Sequence, residues 1–240
     1  MRLSPKRLHD LYRQMDPNVY ESEREGRDRT ARTHLRIVQH CVKSGSLLDV
    51  GCASGVFLLQ AATAGWDVTG IEPNERLCEQ ARQNLNGKGE VLAATLESVH
   101  FDDRFHAITL WDVLEHVPDP VSCLRACREL LEPDGCLFLN VPDIDSLQSR
   151  LLGSRWPLLL PEHLNYFNRH SLRVCMEQAG FRPLRFGRRR AWFSMKYLAY
   201  RVMQHGVPGA KILHACTRGH AGKMVVPLSL GETYAVCKIM

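Results

Sequence analysis

The chain has 240 residues, 45% of them hydrophobic, enough for one sizeable core and too few for two independent catalytic domains. No apolar run approaches the roughly 20 residues that span a bilayer, and the polar start MRLSPKRLHD lacks a leader's apolar stretch, so a cytoplasmic protein is expected. The formal net charge of +5 is local: from 178 to 231 ten basic residues stand without an Asp or Glu, leaving 21 basic against 26 acidic residues elsewhere.

Residues 1–44 read as a helical arm or lid, a polar stretch with Asp16-Pro17-Asn18 followed by a helix over 29–41 with Leu35, Val38 and Val42 on one face. From 45 onward short β-rich runs alternate with helical patterns, the signature of a parallel sheet covered on both faces. Strands are predicted at 46–51, 67–72, 90–94, 107–112, 136–141, 182–186 and 234–239, with helices at 56–64, 75–84, 120–131 and 172–179. Asp119 is placed to cap the third helix and Pro133-Asp134-Gly135 to end it. Nine cysteines without a Cys-x-x-Cys pair predict reduced thiols, with Cys123 and Cys127 as core packing.

Within LLDVGCASGVFL (47–58) a buried strand ends on Asp49, turns through Gly51 and Gly55, and opens a helix at Val56. Glycines there permit a tight turn and a close approach of backbone N–H groups to a ligand. The acidic residue Glu72 ends the second strand 23 positions after Asp49, near the spacing at which a carboxylate takes both hydroxyls of a ribose. A nicotinamide dinucleotide would want a third glycine where Leu58 stands.

These segments, with LWDVLEHVPDP, LLEPDGCLFLNVP and PEHLNYFNRHSLRVCMEQAGF, resemble the class I S-adenosylmethionine-dependent methyltransferase superfamily. The branch they resemble includes ubiquinone-biosynthesis-type O-methyltransferases. The resemblance implies a Rossmann-like α/β fold, a seven-stranded, mostly parallel sheet with an antiparallel last strand and helices on both faces. It implies S-adenosylmethionine as donor, S-adenosylhomocysteine as product and a small-molecule acceptor. By position, Asp49, Gly51, Cys52, Ala53, Gly55 and Phe57 would surround the methionine part and Glu72 with Pro73 the ribose. Leu96 and Glu97 would lie by the adenine, and Trp111 and Asp112 by the sulfonium. Ala53 departs from the glycine that many members carry.

Methyl transfer asks the protein to align donor and acceptor and, where needed, remove a proton, so no metal is expected. His116 and His163 are the candidate bases, since imidazole titrates near neutral pH. Trp156 and Tyr166 are candidate walls of an aromatic acceptor pocket. A basic insert at 187–227 follows the sixth strand; in it Phe193, Tyr197 and Tyr200 recur at helical spacing behind Arg188-Arg189-Arg190. Arg189 and Tyr197 are thus expected to hold an acceptor bearing an anionic, sugar or lipid group, and 188–203 to touch an acidic inner-membrane surface. His214, Cys216 and His220 lack the fourth ligand of a zinc site. RNA methylation is the rival enzyme reading, disfavoured for want of an RNA-binding module. A non-catalytic cofactor-binding partner subunit is the rival of another class.

Overall fold

The computed structural model describes residues 23–204, 217 and 219–240. Asp16-Pro17-Asn18, His214 and Cys216 lie outside the described residues, as do the side chains of Arg201 and His220. In chain order the described elements are α1 (Arg24–Cys41), β1 (Ser46–Val50), α2 (Val56–Thr63), β2 (Asp67–Ile71), α3 (Glu75–Leu85), β3 (Glu90–Leu92), β4 (Phe105–Trp111), α4 (Pro120–Leu130) and β5 (Leu131–Pro142). There follow α5 (Leu147–Leu152), α6 (Arg169–Gln178), β6 (Phe181–Arg188), β7 (Ala191–Ser194), α7 (Met195–Gln204), α8 (His220–Lys223), β8 (Val225–Leu228) and β9 (Glu232–Ile239).

Seven strands form one sheet in the order β3-β2-β1-β4-β5-β9-β6. β1 to β5 pair in parallel, and β9 runs antiparallel to both β5 and β6. The alternation of side chains along each strand divides the core in two. Leu48, Ile108, Leu110, Leu137 and Leu139 face a layer with Leu124, Leu172 and Met176. Leu47, Ala107, Phe138 and Val236 face the other layer, with Val38, Leu58 and Ala81.

Helix starts follow local chemistry. Asn74 caps α3 by accepting from the N–H of Arg76 and Leu77, and Asp119 caps α4 by accepting from Ser122 N–H. α6 begins at Arg169 rather than 172, because Asn168 and Ser171 close a reciprocal capping box. At the other end of α4 the predicted helix residue Leu131 belongs to β5, where it pairs with Phe105.

The insert is not the single helical face that its spacing predicts. Ala191–Ser194 is a strand paired with Val225–Leu228 as a two-stranded ribbon, and Ser194 then caps α7 by accepting from Tyr197 N–H at 3.0 Å. The ribbon is bound to α1. Trp192 N–H donates to Thr30 Oγ1 at 2.8 Å, and Ser194 donates to the Glu23 carboxylate from both backbone and hydroxyl. Gly26 permits this approach, since a Cβ there would stand 2.4 Å from the Trp192 carbonyl oxygen. The first described helix and the insert thus form one cap over the carboxyl ends of β1 and β4.

Among the described residues no helix is long and apolar enough to cross a membrane.

Candidate active site

Beneath the cap lies a cavity of about 470 Å³. Its floor is the turn after β1, with Asp49, Gly51, Cys52, Ala53 and Phe57, together with Trp111 and Asp112 at the end of β4. α1 contributes Arg27, Thr30 and His34, and the insert contributes Trp192, Phe193 and Tyr197. Leu158, Leu160, Glu115, His116 and His163 also line it. The cavity therefore sits at the carboxyl ends of parallel strands, where open α/β sheets bind ligands.

The turn takes its shape from left-handed backbone. Gly51 and Gly55 both have φ 72°, and a Cβ on Gly55 would press on Ala81 of α3 at 3.0 Å. Ala53 also stands at φ 49°, so its departure from glycine costs backbone strain rather than cavity volume. Its N–H donates to Glu72 Oε2 at 2.9 Å, while Asn74 N–H donates to Oε1 at 2.9 Å. Burial pushes the Glu72 carboxyl up from its ordinary value. Each oxygen keeps a lone pair for a further donor. A left-handed alanine costs about 1–2 kcal/mol, of which glycine's greater unfolded freedom takes back about 0.5–1 kcal/mol. Ala53→Gly is accordingly expected to melt no lower than the parent chain; a melting temperature several degrees lower would show that the methyl packs favourably.

Asp49 is buried, with Thr109 Oγ1 donating to its Oδ1 at 2.6 Å, and burial raises its pKa to about 7. Trp111 Nε1, buried in the same wall, has no hydrogen-bond partner among the described residues. An acid short of a cation, an unpartnered N–H and a turn held open by glycine suit the charged methionine end of S-adenosylmethionine. Glu72, Pro73, Leu96 and Glu97 lie outside the cavity wall; Leu96 is packed in the core and Glu97 is exposed.

Asp112, at φ 59°, meets Arg189. The guanidinium binds it in bidentate fashion at 2.8 and 3.0 Å, touches the Glu232 carboxylate, and donates from Nε to His34 Nε2 at 3.1 Å. Asn140 Nδ2 donates to both carboxylates. Two acids share one cation, so their pKa values split. Burial alone would raise Asp112, but Arg189 and Asn140 outweigh it and hold the group at about 2. Burial leads for Glu232, which rises to about 8 despite Arg189. His34 is driven well below its ordinary value by burial and then by Arg189, so it is a neutral ring, stacked on Trp111 at 3.9 Å.

These contacts correct three expectations. Arg189 is not available to grip an anionic acceptor, because its side chain is 10% exposed and committed to Asp112 and Glu232. Trp156 is not in the wall of this cavity: it is 2% exposed and its indole N–H donates to Leu230 O at 2.7 Å. Tyr166 braces the loop instead, accepting from Leu160 N–H and donating its hydroxyl proton to backbone carbonyls there. In the segment expected to rest on a membrane, Phe193 and Tyr197 turn into the cavity, stacked at 5.7 Å, while Tyr200 is exposed. His116 and His163 do come together in the wall, rings edge to face at 4.7 Å. His116 Nδ1 donates to Glu162 O at 3.1 Å, which leaves Nε2 as the unprotonated nitrogen. Burial and His163 lower its pKa to about 4.

Comparison with known proteins agrees with this architecture. The model of the "Methyltransferase domain" family matches residues 20–185, more than half of the chain. A ubiquinone biosynthesis O-methyltransferase of Haemophilus ducreyi is 37% identical over 103 residues, 39% of this chain and less than half, 44%, of that relative's length. One of Actinobacillus pleuropneumoniae serotype 7 is 32% identical over 165 residues, 58% of this chain and 70% of the relative. Magnesium protoporphyrin IX methyltransferase from Synechocystis, solved with S-adenosylhomocysteine bound, shares the fold with a TM-score of 0.61 at 15% identity, over 95% of this chain and 89% of its own. The chain belongs to the methyltransferase-domain family and, within it, to the class I S-adenosylmethionine-dependent methyltransferases.

Proposed function

We propose that this chain transfers the methyl group of S-adenosylmethionine to a hydroxyl oxygen of a small organic acceptor held in the capped cavity. The observation that carries the reading is one continuous cavity whose floor is the glycine turn with Asp49 and whose other walls are Trp192, Phe193, Tyr197, Leu158 and Leu160. The relatives named as O-methyltransferases favour oxygen as the methylated atom. An aromatic and aliphatic wall selects a flat or apolar acceptor by burial. An anionic group on it would find Arg189 already committed to Asp112 and Glu232.

When bound, the cofactor supplies a methyl carbon already activated by positive sulfur. The residues of the chain bind, orient and exclude water. Asp49, Cys52, Ala53 and Phe57 hold the donor end, and Asp112, fixed by Arg189, holds negative charge in the same wall. The cap shields the reacting atoms from solvent. His116 and His163 stand within the wall as neighbours for the acceptor's hydroxyl.

Saturating S-adenosylhomocysteine at about 100 times its dissociation constant is expected to stabilise the chain by about 2.7 kcal/mol, read as a rise in melting temperature. Incubation with a labelled methyl donor and metabolite extracts, followed by mass spectrometry, should then yield a labelled small molecule with the methyl on oxygen. Cofactor binding without any labelled product would defeat the catalytic reading, and label confined to RNA would replace it.

A further inference from the structure

We infer that Glu115 is the group that takes the proton from the acceptor's hydroxyl. This rests on the methyl-transfer reading and assigns a residue to it that neither candidate histidine supplies.

Four acids in or just behind the cavity floor have carboxyl oxygens with assigned partners. Glu72 holds two backbone N–H groups, Asp49 holds Thr109, and Asp112 and Glu232 hold Arg189. Glu115 is different. It is 1% exposed and forms part of the cavity wall, yet its Oε2 has no hydrogen-bond partner among the described residues. An unsatisfied carboxyl oxygen in that position costs stability and calls for a compensating role. Its place is well fixed, because the Glu115 carbonyl accepts from Leu164 and Asn165 N–H at 2.8 and 3.0 Å and so ties the loop after α5 to the end of β4.

A carboxyl oxygen of Glu115 and a nitrogen of each of His116 and His163 lie within 4.8 Å of one another. Nδ1 of His116 is spent on Glu162 O, and burial with the neighbouring His163 makes its ring a weak base. Glu115 is shifted the other way. Burial leads, Asp112 and Glu232 add to it, and Arg189 opposes it, so the carboxyl is a far stronger base than an exposed glutamate once ionised. The charges acting on it are Asp112, the residue after β4, with Glu232 and Arg189; His116 and His163 are its near neighbours, and Glu162, Arg27 and His34 line the same cavity. The acceptor's O–H bond breaks and its proton moves to Glu115. The freed oxygen pair forms the new bond to the methyl carbon, the old carbon–sulfur pair staying on sulfur. The proton then leaves to solvent when product departs.

The test uses the whole chain, the metabolite extract and labelled donor at saturating concentration at every pH, with incorporation followed against pH for the parent chain and for E115Q and E115D. The parent rate is expected to rise with pH through a carboxyl displaced far above the ordinary glutamate range. E115Q is expected to lose about a hundredfold or more in rate together with that pH limb, and E115D to keep the limb with partial rate. Binding of S-adenosylhomocysteine should be the same in all three. Infrared spectra taken from neutral to alkaline pH give a readout without turnover: the parent chain should lose a protonated-carboxyl band that E115Q lacks at every pH. A parent chain with no such band, or E115Q that keeps the parent's pH limb, overturns the assignment. So would activity abolished by a chelator and restored by a divalent cation, which would give the three groups to a metal. No incorporation by the parent chain would instead fail the methyl-transfer reading itself.

Discussion

Replacing Arg189 by methionine is expected to destabilise the chain by about 3 kcal/mol, the lower end of the cost of breaking a buried ion pair. Both carboxyls lose their donor: Asp112 is the ionised partner at neutral pH, while Glu232, 3% exposed and raised to about 8, accepts from Arg189 mainly in its protonated form. Asp112 is 44% exposed toward the cavity and solvent screens part of its share. For a domain of this size the loss corresponds to a fall of roughly 6–12 °C in melting temperature. The effect has a signed pH dependence. The folded-state pKa of Asp112 is depressed to about 2, so its stabilisation is present above the unfolded carboxylate range and lost as pH falls toward 2. Glu232 is raised to about 8, so its contribution is complete in acid and lost as pH rises through 8. Without the guanidinium both carboxyls hold protons more tightly in the folded chain. The gap between parent and variant is therefore widest at and above neutral pH and narrows in mild acid. Thermal melts across that range check it; a gap of a degree or two, or one that widens in acid, contradicts the assignment of Arg189 as the common counter-ion.

Arg189 also marks where sequence reading stops. Three consecutive arginines look like a solvated charge run, and nothing local distinguishes the middle one. Its fate is decided by Asp112 and Glu232, 77 and 43 residues away, which only the closed sheet brings to it. The strands themselves were legible, because apolar runs such as LLDV and CLFLNV read as buried β-structure whatever their neighbours. Asp49, Gly51 and Gly55 were legible for a similar reason: a strand, a turn and a helix in immediate succession is a local pattern. The insert misled through a coincidence of spacing. Phe193 and Tyr197 are four residues apart and stack, yet the first lies on β7 and the second on α7. Ser194, the helix cap between them, was the available signal. Trp156 and Tyr166 read as candidate pocket aromatics from residue type alone; a carbonyl of the segment before β9 and the carbonyls of the 158–160 loop satisfy their polar atoms. The cavity contributions of Arg27 and His34 from α1 carried no signal at all, since an exposed and a buried polar residue look alike on a helix whose partner surface is unknown.

The second large effect is expected at Asp49. Its carboxyl lies 3% exposed at the end of β1, raised to about 7 by burial, with Thr109 opposing and the Glu72 charge adding. A group that far up is only half ionised at neutral pH. The methionine end of S-adenosylmethionine and of S-adenosylhomocysteine carries a cationic amino group, which needs the ionised form. Affinity for S-adenosylhomocysteine should therefore rise as pH increases through 7 and level off above it, measurable by titration calorimetry. Asp49→Asn keeps an oxygen for the Thr109 hydroxyl and removes the charge. It is expected to weaken binding roughly 10- to 100-fold, the 1.5–3 kcal/mol of a hydrogen bond to a charged group, and to flatten the pH dependence. Stability should move the opposite way. A carboxyl raised to about 7 in the folded chain contributes stability that is complete below the unfolded value and lost as pH rises through 7. The asparagine variant, with no charge to bury, should consequently melt no lower than the parent chain above neutral pH while binding cofactor far less well. A variant that binds as the parent does, with the same pH curve, would move the donor's amino group away from Asp49. One that loses binding and stability together would make Asp49 a structural carboxyl of the turn.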